Sequence, residues 1–511
     1  MGTQSTRLPF SFQHLNMAAG LRAAMQRAPD KIALEHRGRT RSYGELVARM
    51  DRVTAALLAV PGFGPGTHAA IIAPNSIEYL EIAFGASQAG VPLATINPRL
   101  TPREMVAICD DAHARVLFAE AGAAAALRDA RFASVERIIE IGAGFEDWIA
   151  AARPSAALPQ VAEWGVFTIP YTSGTTGRPK GVLVSQRSRV LSIFAMAMEY
   201  GCYGPDDRFL AIAPMCHGAG MVFALAPVFA GGHCAILDRF DPEEVLRRLK
   251  DGGMTGFFGV PTHFHALMAL EGALLGQLRP GQLRTVISNA AALPQPMKER
   301  LVEYFGAGVL HETYGSTEAG IVTNLRPADQ LRKRNCVGLP FPATRVEIRR
   351  DDGQSCRTDE VGELFSTSPY LFNGYWQKPE ATQGAWQDGW VTVGDLARRD
   401  AEGHIYIVDR KTDMVISGGI NIYPREVEDV LAQHPAIAEV AVVGVADEKW
   451  GERLKAFVVL RPGERLEAEA LPAFCAGRLS GIKTPKEFVV IERIPRNATG
   501  KVLKTALRAG H

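Results

Sequence analysis

The stretch Tyr171-Thr-Ser-Gly-Thr-Thr-Gly-Arg-Pro-Lys180-Gly181 follows an apolar run, Gly165 to Pro170, and precedes a second, Val182 to Val184. That placement predicts a loop between two strands. Thr172 opens the motif, and Ser173, Gly174, Thr175, Thr176, Gly177 and Lys180 crowd into the residues after it. Glycine lets the main chain approach an oxyanion with its N–H groups turned inward. Hydroxyls add donors, and lysine adds a mobile positive charge. Such a loop suits a polyphosphate. It is not the G-x-x-x-x-G-K-[ST] loop, because Gly181 follows Lys180 and a strand, not a helix, follows both. The same composition also makes an ordinary surface turn, so the decision passes to the rest of the chain.

At 511 residues the chain exceeds a single core, and two or more domains are expected. With 56 basic and 55 acidic residues, the net charge of +1 favours neither nucleic acid nor an anionic membrane as partner. The seven cysteines are scattered and never form a CxxC, which points to reduced thiols, a cytoplasmic setting and no zinc site. Leu210 to Leu237 contains no Asp, Glu, Lys or Arg and has the length of a membrane span. Its prolines, glycines, His217 and His233 instead predict a strand, loop and helix buried in a large core.

From the N-terminus, residues 17–60 read as helix, strand, helix, with Ser42 capping a helix over Tyr43 to Leu58. Strands over 68–73, 91–94 and 115–118 alternate with helices over 76–89 and 102–111, and an alanine-rich surface helix covers 119–130. This alternation predicts largely parallel sheets covered on both faces. A helix over 187–198 would bury Val190, Leu191, Phe194, Ala195 and Met198. Strands at 256–260 and 285–288 end in small residues, where open α/β sheets place ligands. Short strands and prolines from 335 to about 395 suggest a β-rich subdomain. Beyond Asp409-Arg410-Lys-Thr-Asp-Met the pattern becomes a compact α+β domain: a helix over 424–433, strands over 439–445 and 455–460, a helix over 468–479 and a strand over 488–494.

Several separated motifs, in order, resemble the adenylate-forming superfamily, which includes acyl- and aryl-CoA ligases, adenylation domains of peptide synthetases and beetle luciferase. The motifs span nearly the whole chain, and the acyl-CoA synthetase branch fits best. The resemblance implies an α/β large N-terminal domain, residues 1–410, with two α/β subdomains of mostly parallel sheets and a small β-rich subdomain. A small mobile α+β C-terminal domain, residues 411–511, follows a hinge near 410–413. The opening loop would hold the β- and γ-phosphates of ATP. Within His311-Glu312-Thr313-Tyr314-Gly315-Ser316-Thr317-Glu318, Tyr314 would stack on adenine, Thr317 would bond the α-phosphate and Glu318 would bind Mg²⁺. Residue chemistry agrees, since an aromatic face suits a base and a hard carboxylate suits Mg²⁺. Asn289, Ala290 and Ala291 would line the adenine at a place where the family more often has glycine.

By the same resemblance, Asp395 and Arg410 would reach the ribose, and Lys501, in Pro495-Arg-Asn-Ala-Thr-Gly-Lys501, would be the catalytic lysine. Thr412 falls at the hinge, where most relatives carry Asp or Lys. Ser417, Gly418 and Gly419 would border the path of CoA. His217, Gly218 and Met221, with Asn289 and Gly315, would line the acyl pocket, His217 serving as a gate, a catalytic group or a packed wall. The expected reaction joins a carboxylic acid to CoA through acyl-AMP, with ATP, Mg²⁺ and CoA required. The uncharged Leu210–Leu237 segment points to a monocarboxylic medium-chain, alicyclic or aromatic acid. The competing readings are an acyl-AMP ligase serving a carrier protein, a luciferase-like oxygenase, and a scaffold that binds ATP without turnover. A homodimer is compatible with the sequence, which does not fix the assembly.

Overall fold

The computed structural model describes residues 15–154, 157–173, 179–466, 470–496 and 502–509. Its contacts divide the chain into two compact units: Met1–Val346 with Ser366–Val391, and Glu347–Phe365 with Thr392–His511.

In the first unit, nine strands among the described residues form one sheet in the order Leu339–Pro340, Gly320–Leu325, Leu310–Ser316, Thr285–Ser288, Gly256–Gly259, Arg208–Ala211, His233–Ile236, Ile32–His36, Arg39–Ser42. Its middle is parallel, and antiparallel strands close both edges. A second sheet runs Arg137–Glu140, Ala114–Ala119, His68–Ile72, Leu93–Ile96, Val166–Ser173, Pro179–Gly181, with Val184–Ser185 also on Val166–Ser173. His68–Ile72, Leu93–Ile96 and His233–Ile236 are buried at every position, as parallel strands covered on both faces must be. The helix Ile77–Ala89 is likewise buried throughout, including Glu78 and Glu81. Those carboxylates persist there because Arg39 pairs with Glu78 at 2.6 Å, while Arg41 at 3.1 Å and Arg49 pair with Glu81.

Local signals placed most of these elements. Ser42 and Thr101 cap their helices through capping boxes with Glu45 and Glu104, and Ser76 caps Ile77–Ala89. The uncharged segment resolves into the strand Arg208–Ala211, the helix Gly218–Ala230 with Pro227 inside it, and the strand His233–Ile236. No helix among the described residues is long and apolar enough to cross a membrane.

Other expectations need correction. Residues 17–60 contain a second strand, Arg39–Ser42, paired antiparallel with Ile32–His36 through a turn with positive φ at Arg37 and Gly38. The alanine-rich helix shrinks to Ala121–Ala126, capped by Glu120, because alanines give it little side chain to anchor. The helix Gln186–Tyr200 buries only part of the expected face: Val190 and Ala195 are buried, but Phe194 and Met198 are 48% and 72% exposed, and Gln186, Ser188, Arg189 and Ser192 are buried instead. Polar residues on the inner face hid the rest of it from an apolar count.

The second unit is built on the long antiparallel pair Ile437–Asp447 and Gly451–Leu460, joined by Val415–Ser417, Ile420–Ile422 and Glu487–Val490. The amphipathic helix Pro424–Leu431 packs Val427 and Leu431 against this sheet. Both long strands exceed their expected bounds, whereas the helix expected over 468–479 covers only Ala470–Cys475 among the described residues.

Candidate active site

Both flanks of the opening motif are strand. Val166–Ser173 runs into it, and Pro179–Gly181 pairs back antiparallel, with Thr172 opposite Lys180. The described strands thus reach Ser173 on one side of the motif and Pro179 on the other. Gly174, Thr175, Thr176 and Gly177 lie outside the described residues, as does the side chain of Ser173. Gly181 is required on steric grounds, since a Cβ there would sit 2.8 Å from Ile169 Cγ2 and 3.0 Å from the Tyr171 ring.

A segment that the sequence reading passed over fastens this hairpin to Glu318. Trp376 N donates to Gly181 O at 2.8 Å, and Phe372 N donates to Glu318 O at 2.9 Å. The Tyr375 hydroxyl donates to Glu318 Oε1 at 2.9 Å, and Lys180 Nζ lies 5.1 Å from the centre of the Tyr375 ring. Burial, then the neighbouring Glu318 charge, pushes the Tyr375 hydroxyl well above the ordinary tyrosine range, so it stays a donor. The cluster Tyr370, Phe372, Tyr375, Trp376 was the available signal, and it was absorbed into the β-rich reading of 335–395.

Glu318 sits in the turn Thr317–Ala319 that joins Leu310–Ser316 to Gly320–Leu325. Ser316 Oγ accepts from Ala319 N at 3.0 Å. Gly315 admits no side chain, because a Cβ would fall 2.1 Å from Gly320 O. Tyr314 is half-buried. Thr317 lies against the start of the helix Gly218–Ala230: a Cβ on Gly218 would meet Thr317 Cγ2 at 3.7 Å and Oγ1 at 3.8 Å. The strand ends beside it are tied together, with Asn289 Nδ2 donating to Thr313 Oγ1 at 2.7 Å and Asn289 Oδ1 accepting from Ala290 N. Glu312 is 3% exposed; its carboxylate pairs with Lys298 and accepts from Leu293 N at 2.9 Å. Its side chain is thus committed to the core, which leaves its main chain for any nucleotide.

Ala290 holds φ at +77°, the left-handed region that favours glycine, next to the exposed Ala291. The local backbone therefore keeps the conformation that glycine would take at this strand end. Ala290→Gly should be neutral or stabilising, whereas Ala290→Val should destabilise by about 1–2 kcal/mol, because a β-branched residue resists positive φ. Thermal denaturation of the two variants checks this, and equal melting temperatures would contradict it.

His217 precedes the helix Gly218–Ala230 and makes no side-chain cap to it. Its approach is fixed from outside: Asn75 donates to Ala213 O at 3.0 Å and accepts from Met215 N at 2.8 Å, and Thr95 Oγ1 donates to Cys216 O at 2.9 Å. His217 and Gly218 are half-buried, while Met221 is 1% exposed within the core.

In the second unit, Asp395 and Arg410 are paired across Asp395–Arg399 and Ile405–Arg410, with Arg410 Nε 3.3 Å from Asp395 Oδ1. Asp395 is 6% exposed and Arg410 exposed, so the pair offers a fixed carboxylate and a reachable guanidinium. Thr412 is exposed in a turn closed by Asp413 N and Met414 N on Arg410 O, at 2.9 and 3.1 Å. Ser417 and Ile420 face each other across a two-residue hairpin in which Gly418 and Gly419 have φ of +57° and +79°. Ser417 is buried, so the exposed part of this trio is the glycine main chain. Lys501 lies outside the described residues.

Lys180, on the second sheet, is thus tied through Tyr375 to Glu318, on the first, beside strand ends of the kind where open α/β sheets place ligands. The AMP-binding enzyme model matches residues 21–376, the AMP-binding enzyme C-terminal domain matches residues 426–501, and the chain belongs to this family. It is 35% identical over 487 residues to a feruloyl-CoA synthase of Amycolatopsis sp, covering 94% of this chain and 96% of that one. A sulfoacetate–CoA ligase of Cupriavidus necator is 33% identical over 509 residues, covering 98% of each. Among solved structures, the o-succinylbenzoate CoA synthetase of Bacillus subtilis with its acyl-adenylate intermediate superposes with a TM-score of 0.86 at 30% identity, covering 96% of this chain and 98% of that one.

Proposed function

We infer that this protein is an AMP-forming acid–CoA ligase. The acid's carboxylate attacks the α-phosphorus of ATP, pyrophosphate leaves, and the CoA thiol then displaces AMP from the acyl carbon to give the thioester. The observation that carries this reading is the chain of contacts Lys180–Tyr375–Glu318, with Thr317 set against Gly218. It supports the reading by linking a cation to a carboxylate through one tyrosine, with the adjacent hydroxyl against the first residue of the helix Gly218–Ala230. The relatives named above make CoA thioesters of ferulate and sulfoacetate, and the solved one carries an acyl-adenylate. One of those acids has a second acidic group and one has not, so the family tolerates both.

The residue roles follow from the motif matches. Lys180 and the loop residues serve the outer phosphates, Thr317 the α-phosphate, Tyr314 and the Asn289–Ala291 strand end the adenine, and Asp395 with Arg410 the ribose. Glu318 is the carboxylate suited to Mg²⁺. No group of three or more His, Cys, Asp or Glu among the described residues is arranged to hold a metal. Mg²⁺ would arrive on the nucleotide's phosphates and offset their charge. The seven cysteines are free, in keeping with a cytoplasmic enzyme. Pyrophosphate release across a panel of acids tests the reading, and silence with every acid would favour a non-catalytic ATP binder.

Lys501 and the Thr412 hinge belong to a two-step cycle in which the C-terminal part turns between adenylation and thioester formation. Thr412→Pro should impede that turn, since proline fixes φ and restricts Lys411 before it. An added barrier of about 1.4 kcal/mol slows a step tenfold. Overall CoA-dependent turnover should fall by at least that factor while acyl-AMP formation stays near wild type. Unchanged CoA transfer would remove Thr412 from the hinge.

A further inference from the structure

Arg189 is the fourth residue of the helix Gln186–Tyr200 and only 8% exposed. Its Nε is buried with no hydrogen-bond partner, and no described carboxylate pairs with it. Burial alone draws its pKa down to about 10, still charged at neutral pH. The other buried charges described above have answers: Glu81 has Arg41 and Arg49, and Lys298 has Glu312. A largely buried guanidinium without a counter-charge is costly. The first helical turn adds the positive end of the helix dipole to that penalty. An entering anion would offset the first and be favoured by the second.

The surroundings say where that anion would come from. Arg189, Ile193, Met196 and Tyr200 share one helix face, opposite the exposed Phe194 and Met198. On that face the Tyr200 ring lies 6.4 Å from Phe223, in the helix Gly218–Ala230, and 5.2 Å from His311. At the other end, Ser188 Oγ donates to Tyr370 O at 2.6 Å. Tyr370 in turn abuts Gly320, 2.9 Å from where a Cβ there would lie. The face bearing Arg189 therefore packs, through Tyr200, on Phe223 of the helix Gly218–Ala230 and on His311 of the strand Leu310–Ser316, while the neighbouring Ser188 ties the start of the helix to Tyr370 beside Gly320. These are the elements assigned above to the reacting carboxyl and the acyl pocket. We propose that Arg189 receives a second anionic group of the acid substrate, a carboxylate or sulfonate remote from the carboxyl that is adenylated. The inference rests on the ligase reading and departs from the monocarboxylic acid expected from Leu210–Leu237, because the cation comes from a different helix.

The test uses the full chain, with acyl-AMP trapped by hydroxylamine in the absence of CoA. α,ω-Dicarboxylates and ω-sulfonocarboxylates are compared with the neutral-ended isosteres of the same length. Wild type should prefer the doubly anionic acids by about a hundredfold or more in kcat/KM, since a site built for a polar group rejects analogues lacking it. Arg189→Met should erase or invert that preference, and Arg189→Lys should retain part of it. In the complete reaction the KM for CoA should not move, which separates the acid's anion from the phosphates of CoA. Unliganded Arg189→Met should melt above wild type, and doubly anionic acids should raise the Tm of wild type only. A wild-type preference for neutral acids, an unchanged ratio in Arg189→Met, or a defect confined to CoA would overturn the proposal. Turnover of neutral acids alone would leave the ligase reading standing and sink this one. A Tm rise by doubly anionic acids, lost in Arg189→Met, without pyrophosphate release from any acid would do the reverse.

Discussion

Lys501→Ala should abolish acyl-AMP formation while leaving transfer from supplied acyl-AMP to CoA close to wild type. During attack on the α-phosphorus, negative charge spreads over the carboxylate oxygen and the phosphoryl oxygens. A lysine that bridges both stabilises this state more than the ground state, and removing such a contact raises the barrier by about 3–4 kcal/mol, or two to three decades in rate. The second step needs no such bridge, because the leaving group is AMP and the nucleophile a thiol. Assaying the half-reactions separately distinguishes a missing catalytic group from a damaged fold. Equal loss in both would point to folding and would remove Lys501 from the chemistry.

The legible parts of this chain were those where one local rule acted alone. Ser42, Ser76 and Thr101 marked helix starts because a side-chain oxygen capping a free N–H acts within four residues. The parallel strands showed as apolar runs because both of their faces are covered. The placement of Asp395 opposite Arg410 bears on a pair that the sequence could name only as two separate residues. What escaped was set by long-range packing. Nothing local says that Tyr375, far along the chain, will lie between Lys180 and Glu318. Periodicity found only Val190 and Ala195 of the inner face of Gln186–Tyr200, because its other buried positions include glutamine, serines and an arginine. Glu312 was read as part of the nucleotide motif, yet its carboxylate answers Lys298, a residue the motif does not contain.

That last pair should carry the largest stability effect in the molecule. Lys298 is 1% exposed and Glu312 3% exposed, and Leu293 N donates to the same carboxylate at 2.9 Å. Lys298→Met fits the aliphatic stem but leaves a carboxylate buried without its cation. Breaking one side of such a pair costs about 3–5 kcal/mol, most of it the penalty of the abandoned charge. Removing both charges together should therefore recover most of the loss, and Lys298→Met with Glu312→Leu should melt far closer to wild type than Lys298→Met alone. Because Glu312 adjoins Thr313, which Asn289 holds at 2.7 Å, the single variant should also raise the KM for ATP by loosening the strand end at Ala290. Thermal denaturation of the two variants, with ATP titrations on each, tests the argument. A double variant no more stable than the single one would mean that Lys298 contributes by packing its stem, not by answering the buried carboxylate.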